Sequence, residues 1–199
     1  MTDCNCGLCR VAAVLLLFAV TASAGAVEID PASLYHGRTL KPRDSELKVA
    51  VGDQAPDFTL PAVSGGTVRL SRYRRRRHVV LSFVPSAWTP VCSAQWPGYD
   101  IAKDFFEAHD AVLLGITVDH LATLHAWITA MGGLWFPVLS DFWPHGKVAD
   151  AYGVLRSDGT SERALFVIDK TGTIRYIDVH AIDKRPDLGV LAAELAKLN

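Results

Sequence analysis

A chain of 199 residues, of which 50% are hydrophobic and 21% charged, fits one ordinary domain and has the composition of a globular protein. Its formal net charge of -1 excludes a general electrostatic attraction to nucleic acid or to an anionic membrane surface. We therefore expect its partner to be a small molecule or another protein.

The first segment, residues 1–24, is predicted to be an export signal. Residues 11–24 read VAAVLLLFAVTASA, which is shorter than the roughly 20 apolar residues of a bilayer-spanning helix. Small residues in A-x-A spacing follow at positions 22–24 and 24–26, as at a signal cleavage site, although Arg10 is the one basic residue upstream. We expect export to the periplasm or another extracytoplasmic space. An uncleaved anchor and a wrongly assigned start are the alternatives.

Three of the four cysteines, Cys4, Cys6 and Cys9, precede the apolar run, and Cys92 follows it. Their C-x-C-x-x-C spacing is a weak metal signal without a fold around it. Cleavage would remove all three, and an anchor in the usual orientation would leave them across the membrane from Cys92. The mature domain would then hold one cysteine and no internal disulfide.

Residues 25–48 are polar and contain Pro31, Gly37 and Pro42, which predicts a linker or an arm lying on the domain. The domain itself is predicted over residues 49–199. Its patterns predict strands at 67–70, 78–84, 111–118, 164–169 and 173–179, and helices at 93–109, 120–131 and 187–198.

Two of these strands, 78–84 (HVVLSFV) and 111–118 (AVLLGITV), are continuous apolar runs typical of strands buried on both faces. The last two strands flank Lys170-Thr171-Gly172, a turn signal that predicts a β-hairpin. Alternating strands and helices followed by a hairpin predict an α/β fold with a central mixed β-sheet flanked by helices.

Cys92 comes after the loop that follows the first buried strand, at the start of a predicted helix. In open α/β sheets ligands collect at the carboxyl ends of strands, next to helix N-termini. The helix dipole and unpaired backbone N–H groups there stabilise a thiolate. Position alone therefore predicts a reactive thiol, whereas a cysteine in mid-strand would be an inert core residue.

Pro85, Thr89 and Cys92 form the pattern P-x-x-x-T-x-x-C, which resembles the active-site loop of the peroxiredoxins. Three further blocks resemble the family in the same order: 52–58 (GDQAPDF), 140–146 (SDFWPHG) and 163–169 (RALFVID). The block at 163–169 resembles the strand that carries the family's active-site arginine. The block at 140–146 resembles a segment of the one-cysteine, alkyl hydroperoxide reductase E-type branch of the family. The resemblance covers residues 49–199 and implies a thioredoxin-like fold.

The resemblance also implies a thiol peroxidase with an antioxidant role, reducing hydrogen peroxide or organic hydroperoxides. Cys92 would be the nucleophile that becomes a sulfenic acid. Thr89 and Arg163 would donate hydrogen bonds to the peroxide as charge builds on its oxygens, Pro85 would shield the pocket from water, and Gln95 would support the loop. From the residues alone, two alternatives stay open. Thr89 would be a helix N-cap, and Arg163 would form a surface ion pair with Glu162 or a nearby aspartate.

No cofactor is expected, and the scattered histidines lack metal-ligand spacing, so no metal is assigned. The implied partners are a peroxide, an external thiol reductant (a small thiol or a thioredoxin-like protein) and, as a homodimer, a second copy of the chain.

Two other functions compete with a peroxidase. A secreted thiol–disulfide oxidoreductase of the same fold needs C-x-x-C, but the tetrad at 89–92 is TPVC, with Thr89 where the first sulfur would be. A copper-delivery protein of this fold would also need a second cysteine near Cys92. A non-catalytic binding module would have no need of Pro85, Thr89, Cys92 and Arg163 together.

Overall fold

A five-stranded mixed sheet carries the fold in the computed structural model, which describes residues 29–37 and 39–198. The predicted export signal at 1–24, with Cys4, Cys6 and Cys9, lies outside the described residues. The strands are β1 (Thr59–Pro61), β2 (Thr67–Arg69), β3 (His78–Phe83), β4 (Ala111–Thr117), β5 (Val138–Ser140), β6 (Arg163–Ile168) and β7 (Ile174–His180). The helices are α1 (Pro90–Gln95), α2 (Lys103–Ala108), α3 (Leu121–Ala130), α4 (Lys147–Tyr152) and α5 (Leu188–Ala196).

The strand order in the sheet is β5-β4-β3-β6-β7. Strands β3, β4 and β5 run parallel to one another, whereas β6 pairs antiparallel with both β3 and β7. The short strands β1 and β2 form a separate antiparallel pair. The predicted α/β class with a central mixed sheet is confirmed.

The central strands β3 and β6 are buried along their whole length, as the continuous apolar runs predicted. Successive side chains of a strand point to opposite faces of the sheet, so β3 supplies both hydrophobic layers. Leu81 and Phe83 belong to the layer on one face, and Val80 packs on the other with Trp96 and Trp127. The sheet is therefore covered on both sides, and its strand ends are fixed in space.

The single helix predicted over 93–109 is wrong, because the structure divides that stretch. α1 ends at Gln95, a 3-10 helix occupies Pro97–Ala102, and α2 follows. Pro97 lacks the N–H that would continue α1, and Gly98 next to it is a poor helix former. Strands β1 and β5 and helix α4 were not predicted, because elements of three to six residues show too little periodicity.

The described part of the stretch at 25–48 packs on the domain. Its end crosses the C-terminus of α4 at Gly153, which has a φ of 73°. A Cβ atom at Gly153 would lie 2.2 Å from the backbone nitrogen of Lys48, so the close approach requires glycine. Within residues 29–37 and 39–198, no helix is long and apolar enough to cross a membrane.

Asp141 fixes the start of α4 to the end of β5. Its carboxylate accepts hydrogen bonds from the backbone N–H groups of Val148, at 3.0 Å, and of Ala149, at 2.8 Å. Burial raises the pKa of Asp141 against the effect of these hydrogen bonds. The contact satisfies two first-turn donors that have no partner within the helix.

We expect Asp141→Ala to lower the free energy of unfolding by about 1–3 kcal/mol, because it leaves buried N–H groups without an acceptor. Thermal or urea unfolding measures the loss. Asp150→Ala is the matched control on the same helix, since Asp150 forms an exposed ion pair with Lys48 and such pairs contribute less than about 1 kcal/mol. Equal losses in the two variants would contradict the capping role of Asp141.

Candidate active site

Cys92 lies in the first turn of α1, at the end of the loop that leaves β3. The residue is fully buried and contributes to the lining of a cavity of about 770 Å³. Pro85, Thr89 and Arg163 line the same cavity. The structure thus brings together the four residues that the sequence nominated for catalysis.

Arg163 reaches Cys92 because β6 pairs antiparallel with β3. Phe83, at the end of β3, is paired with Ala164, so the first residue of β6 lies beside the loop that leads to Cys92. The guanidinium Nη2 of Arg163 is 3.4 Å from the Sγ of Cys92, although the two residues are 71 positions apart in the chain.

The Arg163 side chain is held by neutral groups. Nε and Nη2 both donate to the backbone carbonyl of Ile182, at 3.2 and 2.9 Å, and Nη1 donates to Oε1 of Gln95. Arg163 is 1% exposed, and none of the described carboxylates forms an ion pair with it. A surface ion pair with Glu162, the alternative open from sequence, is wrong, since Glu162 pairs with Arg156 at 2.7 Å.

Arg163 places a positive charge within hydrogen-bonding distance of the reactive sulfur, at the 3.4 Å separation of Nη2 and Sγ. No described carboxylate forms an ion pair with Arg163. Its charge therefore remains available to an anion that forms in the cavity.

Thr89 occupies the N-cap position of α1, but its side chain makes no capping hydrogen bond. Its hydroxyl instead donates to the backbone carbonyl of Ser86 at 3.0 Å. The hydroxyl hydrogen is therefore engaged, and the oxygen retains lone pairs facing no described donor. This differs from the donor role expected from sequence, because the geometry fits Thr89 to accept a hydrogen bond from the O–H of a peroxide.

Gln95 links Arg163 to a buried polar cluster under the sheet. Its Nε2 donates to Ser82 Oγ at 3.3 Å and to Tyr99 Oη at 3.0 Å. These bonds fix the amide so that Oε1 faces the guanidinium. Burial raises the pKa of Tyr99, which keeps its phenol neutral.

Sequence reasoning missed three of these supporting groups: Ser82, Tyr99 and the carbonyl of Ile182. A signal existed for Ser82, a polar residue inside the apolar run at 78–84. No sequence signal marks Ile182, because it acts through its backbone. Within the described residues, no group of histidine, cysteine, aspartate or glutamate side chains is arranged to hold a metal ion.

Comparison with known sequences identifies relatives of most of the domain. A sequence model of the AhpC/TSA family matches residues 51–177. Alkyl hydroperoxide reductase E of Mycobacterium tuberculosis is 40% identical over 130 residues, which are 65% of this chain and 84% of that protein. A chloroplastic 2-cysteine peroxiredoxin of Chattonella marina is 38% identical over 144 residues, covering 67% of this chain and 72% of that protein.

Solved structures of peroxiredoxins superpose on this chain. The reduced 2-Cys peroxiredoxin of Plasmodium vivax superposes with a TM-score of 0.69 at 30% identity, over 73% of this chain and 80% of that one. Mycobacterium tuberculosis AhpC superposes with a TM-score of 0.70 over 75% of this chain and 93% of that one. At 24% sequence identity, this second superposition is evidence for the fold alone. The thioredoxin-like fold implied by the sequence is confirmed.

We expect Gln95→Ala to slow the oxidation of Cys92 by peroxide about tenfold, the effect of losing one hydrogen bond to a charged group. The second-order rate constant, followed by tryptophan fluorescence in a stopped-flow instrument, measures the effect. Gln95→Glu keeps an acceptor for Arg163 but should not restore the rate, because its carboxylate would neutralise the charge of the guanidinium. Gln54→Ala, at an exposed glutamine bound to Thr173, is the matched control. An unchanged rate in Gln95→Ala would contradict the positioning role.

Proposed function

Because the chain belongs to the AhpC/TSA family and is a thiol-dependent peroxidase, we propose that Cys92 is its peroxidatic cysteine. Hydrogen peroxide and organic hydroperoxides are the proposed substrates. The observation that carries the proposal is the 3.4 Å contact between Arg163 Nη2 and Cys92 Sγ in a cavity also lined by Thr89 and Pro85.

In the proposed reaction, the Cys92 thiolate attacks the terminal oxygen of the hydroperoxide in line with the O–O bond. That bond breaks, its electron pair leaves with the second oxygen, and a proton converts the leaving group into an alcohol, or into water from hydrogen peroxide. The sulfur becomes a sulfenic acid. Arg163 can donate to the oxygens as charge builds on them, and Thr89 can accept from the peroxide O–H.

Ionisation of a cysteine thiol by itself contributes little to the rate of peroxide reduction. A cysteine thiol with a pKa near 8.5 is only about 3% ionised at pH 7, and a pKa of ~6 would raise this to about 90%. Nucleophilicity falls with pKa, however, and a Brønsted slope of about 0.45 removes roughly tenfold of that thirtyfold gain. Most of the rate must therefore come from preorganised groups such as Arg163 that stabilise the transition state.

An external thiol is proposed to recycle the enzyme. One thiol condenses with the sulfenic acid to form a mixed disulfide and water, and a second thiol releases Cys92 as the thiol and leaves as a disulfide. Cys92 is the one cysteine of the described residues, which supports a reductant outside the chain. A small thiol or a thioredoxin-like protein would meet this need.

Export is proposed for the full chain. The support is the apolar run at 11–24 with its A-x-A sites. In an oxidising compartment the usual cytoplasmic thiol pool is missing, so the reductant would have to be delivered there.

A homodimer is proposed as well. Phe142 and Trp143, in the 140–146 segment, are 44% and 81% exposed, and neighbouring exposed aromatics favour association with another protein surface.

With hydrogen peroxide, we expect the wild-type protein to form a sulfenic acid at Cys92 that dimedone traps, and to consume peroxide repeatedly when dithiothreitol is supplied. Cys92→Ser should do neither, because a hydroxyl is not ionised at neutral pH. Mass spectrometry of the dimedone adduct and a peroxide assay measure the two effects. Reduction of insulin disulfides by a wild-type protein that leaves peroxide untouched would support the oxidoreductase alternative instead.

For export, we expect the protein purified from the extracytoplasmic fraction to begin at Gly25 or Val27, after cleavage at Ala24 or Ala26. N-terminal sequencing measures the start. A mature protein that still begins at Met1 in the cytoplasm would contradict the proposal.

A further inference from the structure

Part of the lining of the Cys92 cavity comes from a segment that precedes the domain. We name residues 29–37 and 39–46 the arm; they come before the family match, which begins at residue 51. The arm lines the cavity through Tyr35, His36, Thr39, Leu40 and Pro42. One wall of the pocket therefore lies outside the region that matches the family.

The first half of the arm is joined directly to the active-site loop. The backbone N–H of Tyr35 donates to the carbonyl of Trp88 at 2.7 Å. Trp88 directly precedes Thr89 and has a φ of 60°, an uncommon value for a residue other than glycine. The arm thus contacts the loop at its strained position.

The second half of the arm is fastened by a buried ion pair. The side chains of Arg156 and Glu162 are 1% and 0% exposed and pair at 2.7 Å. Arg156 Nη2 also donates to the carbonyl of Lys41 at 3.0 Å, and Glu162 Oε1 accepts from the backbone N–H of Asp44 at 2.6 Å. Buried charges need such additional hydrogen bonds, so the pair and the arm stabilise each other.

Asp44 adds a second fastening point in the same loop. Its carboxylate accepts from the hydroxyl of Ser157 and from the backbone N–H of Ser157, the latter at 3.2 Å. The hydrogen bond from the Ser157 hydroxyl is the main cause that lowers the pKa of Asp44. The carboxylate is therefore charged throughout the neutral range and accepts from Ser157 there.

The size of the cavity exceeds what the smallest peroxide needs. A water molecule takes about 30 Å³ of liquid volume, so hydrogen peroxide would fill a small part of a cavity of about 770 Å³. Cavities of 300–1,000 Å³ suit small organic molecules. The arm gives this one an apolar surface through Leu40 and Pro42, while Asp158 and Asp183 in the lining disfavour an anionic group.

We propose that the arm is the specificity-determining wall of the pocket, and that Tyr35 and Leu40 contact the substituent of an uncharged organic hydroperoxide whose O–O group lies at Cys92. The Arg156–Glu162 pair and Ser157 hold that wall in place. The proposal rests on the peroxidase function proposed above and specifies the substrate class of the same site.

The test compares two peroxides on one enzyme. For Leu40→Ala, we expect the second-order rate constant for Cys92 oxidation by cumene hydroperoxide to fall about tenfold, because an apolar contact with the substituent is lost. The rate constant with hydrogen peroxide should stay within about twofold. Tyr35→Ala should act in the same direction, and because Tyr35 is 69% exposed this variant retains the fold.

Leu47→Ala is the matched control, since Leu47 follows directly after the arm, is 41% exposed and does not line the cavity. It should leave both rate constants unchanged. Equal losses for the two peroxides in Leu40→Ala and Tyr35→Ala, or no loss in either, would overturn the proposal. Failure of the wild-type protein to react with either peroxide would instead overturn the peroxidase function itself.

A second measurement tests the fastening separately. We expect Ser157→Ala to speed tryptic cleavage after Arg43 several-fold and to reduce the preference for cumene hydroperoxide over hydrogen peroxide. Unchanged cleavage together with unchanged preference would show that Ser157 does not hold the wall.

Discussion

The active site depends on one buried positive charge that no carboxylate of the described residues neutralises. Arg163 is enclosed by the Cys92 thiol, the amide of Gln95 and the carbonyl of Ile182, all of them neutral when the thiol is protonated. A buried guanidinium in such surroundings is stabilised by any anion that forms beside it. In the reaction proposed above, these anions would be the Cys92 thiolate and the oxygen that leaves during peroxide cleavage, so Arg163 would stabilise both.

The sheet is what keeps that charge in place. Strands β3 and β6 are buried on both faces, and their antiparallel pairing puts the end of one beside the start of the other. Gln95 is connected through Ser82 to the interior of β3, so the amide that orients Arg163 belongs to the rigid part of the fold. The groups proposed for catalysis are thus positioned by the core, as a preorganised site requires.

Unlike the groups around Arg163, the arm is held by polar contacts and contributes little to the hydrophobic core. A peroxidase can vary such a wall without disturbing Cys92, because its fastening loop at 155–162 is separate from the hydrogen bonds that orient the guanidinium. Glu162 and Arg163 are neighbours in sequence, yet one is bound to the arm and the other to the active site. The loop before β6 therefore holds the arm, and the first residue of β6 lies in the active site.

The sequence by itself determined the chemistry and most of the framework. The P-x-x-x-T-x-x-C spacing marked Pro85, Thr89 and Cys92 through its resemblance to the peroxiredoxin active-site loop, because these residues lie close together in the chain and local spacing survives folding. The runs at 78–84 and 111–118 marked the buried strands, since burial on both faces leaves a continuous apolar pattern. Short elements such as β5, and the break at Pro97, were not predicted, because a few residues carry too little periodicity.

Only the tertiary structure decided which groups surround the arginine and what closes the pocket. The partners of Arg163 come from α1 and from the loop after β7, and one of them is a backbone carbonyl that no side-chain pattern can mark. The role of the arm depends on contacts between residues more than a hundred positions apart, such as Asp44 with Glu162. Long-range packing fixes such contacts, and local sequence does not encode them.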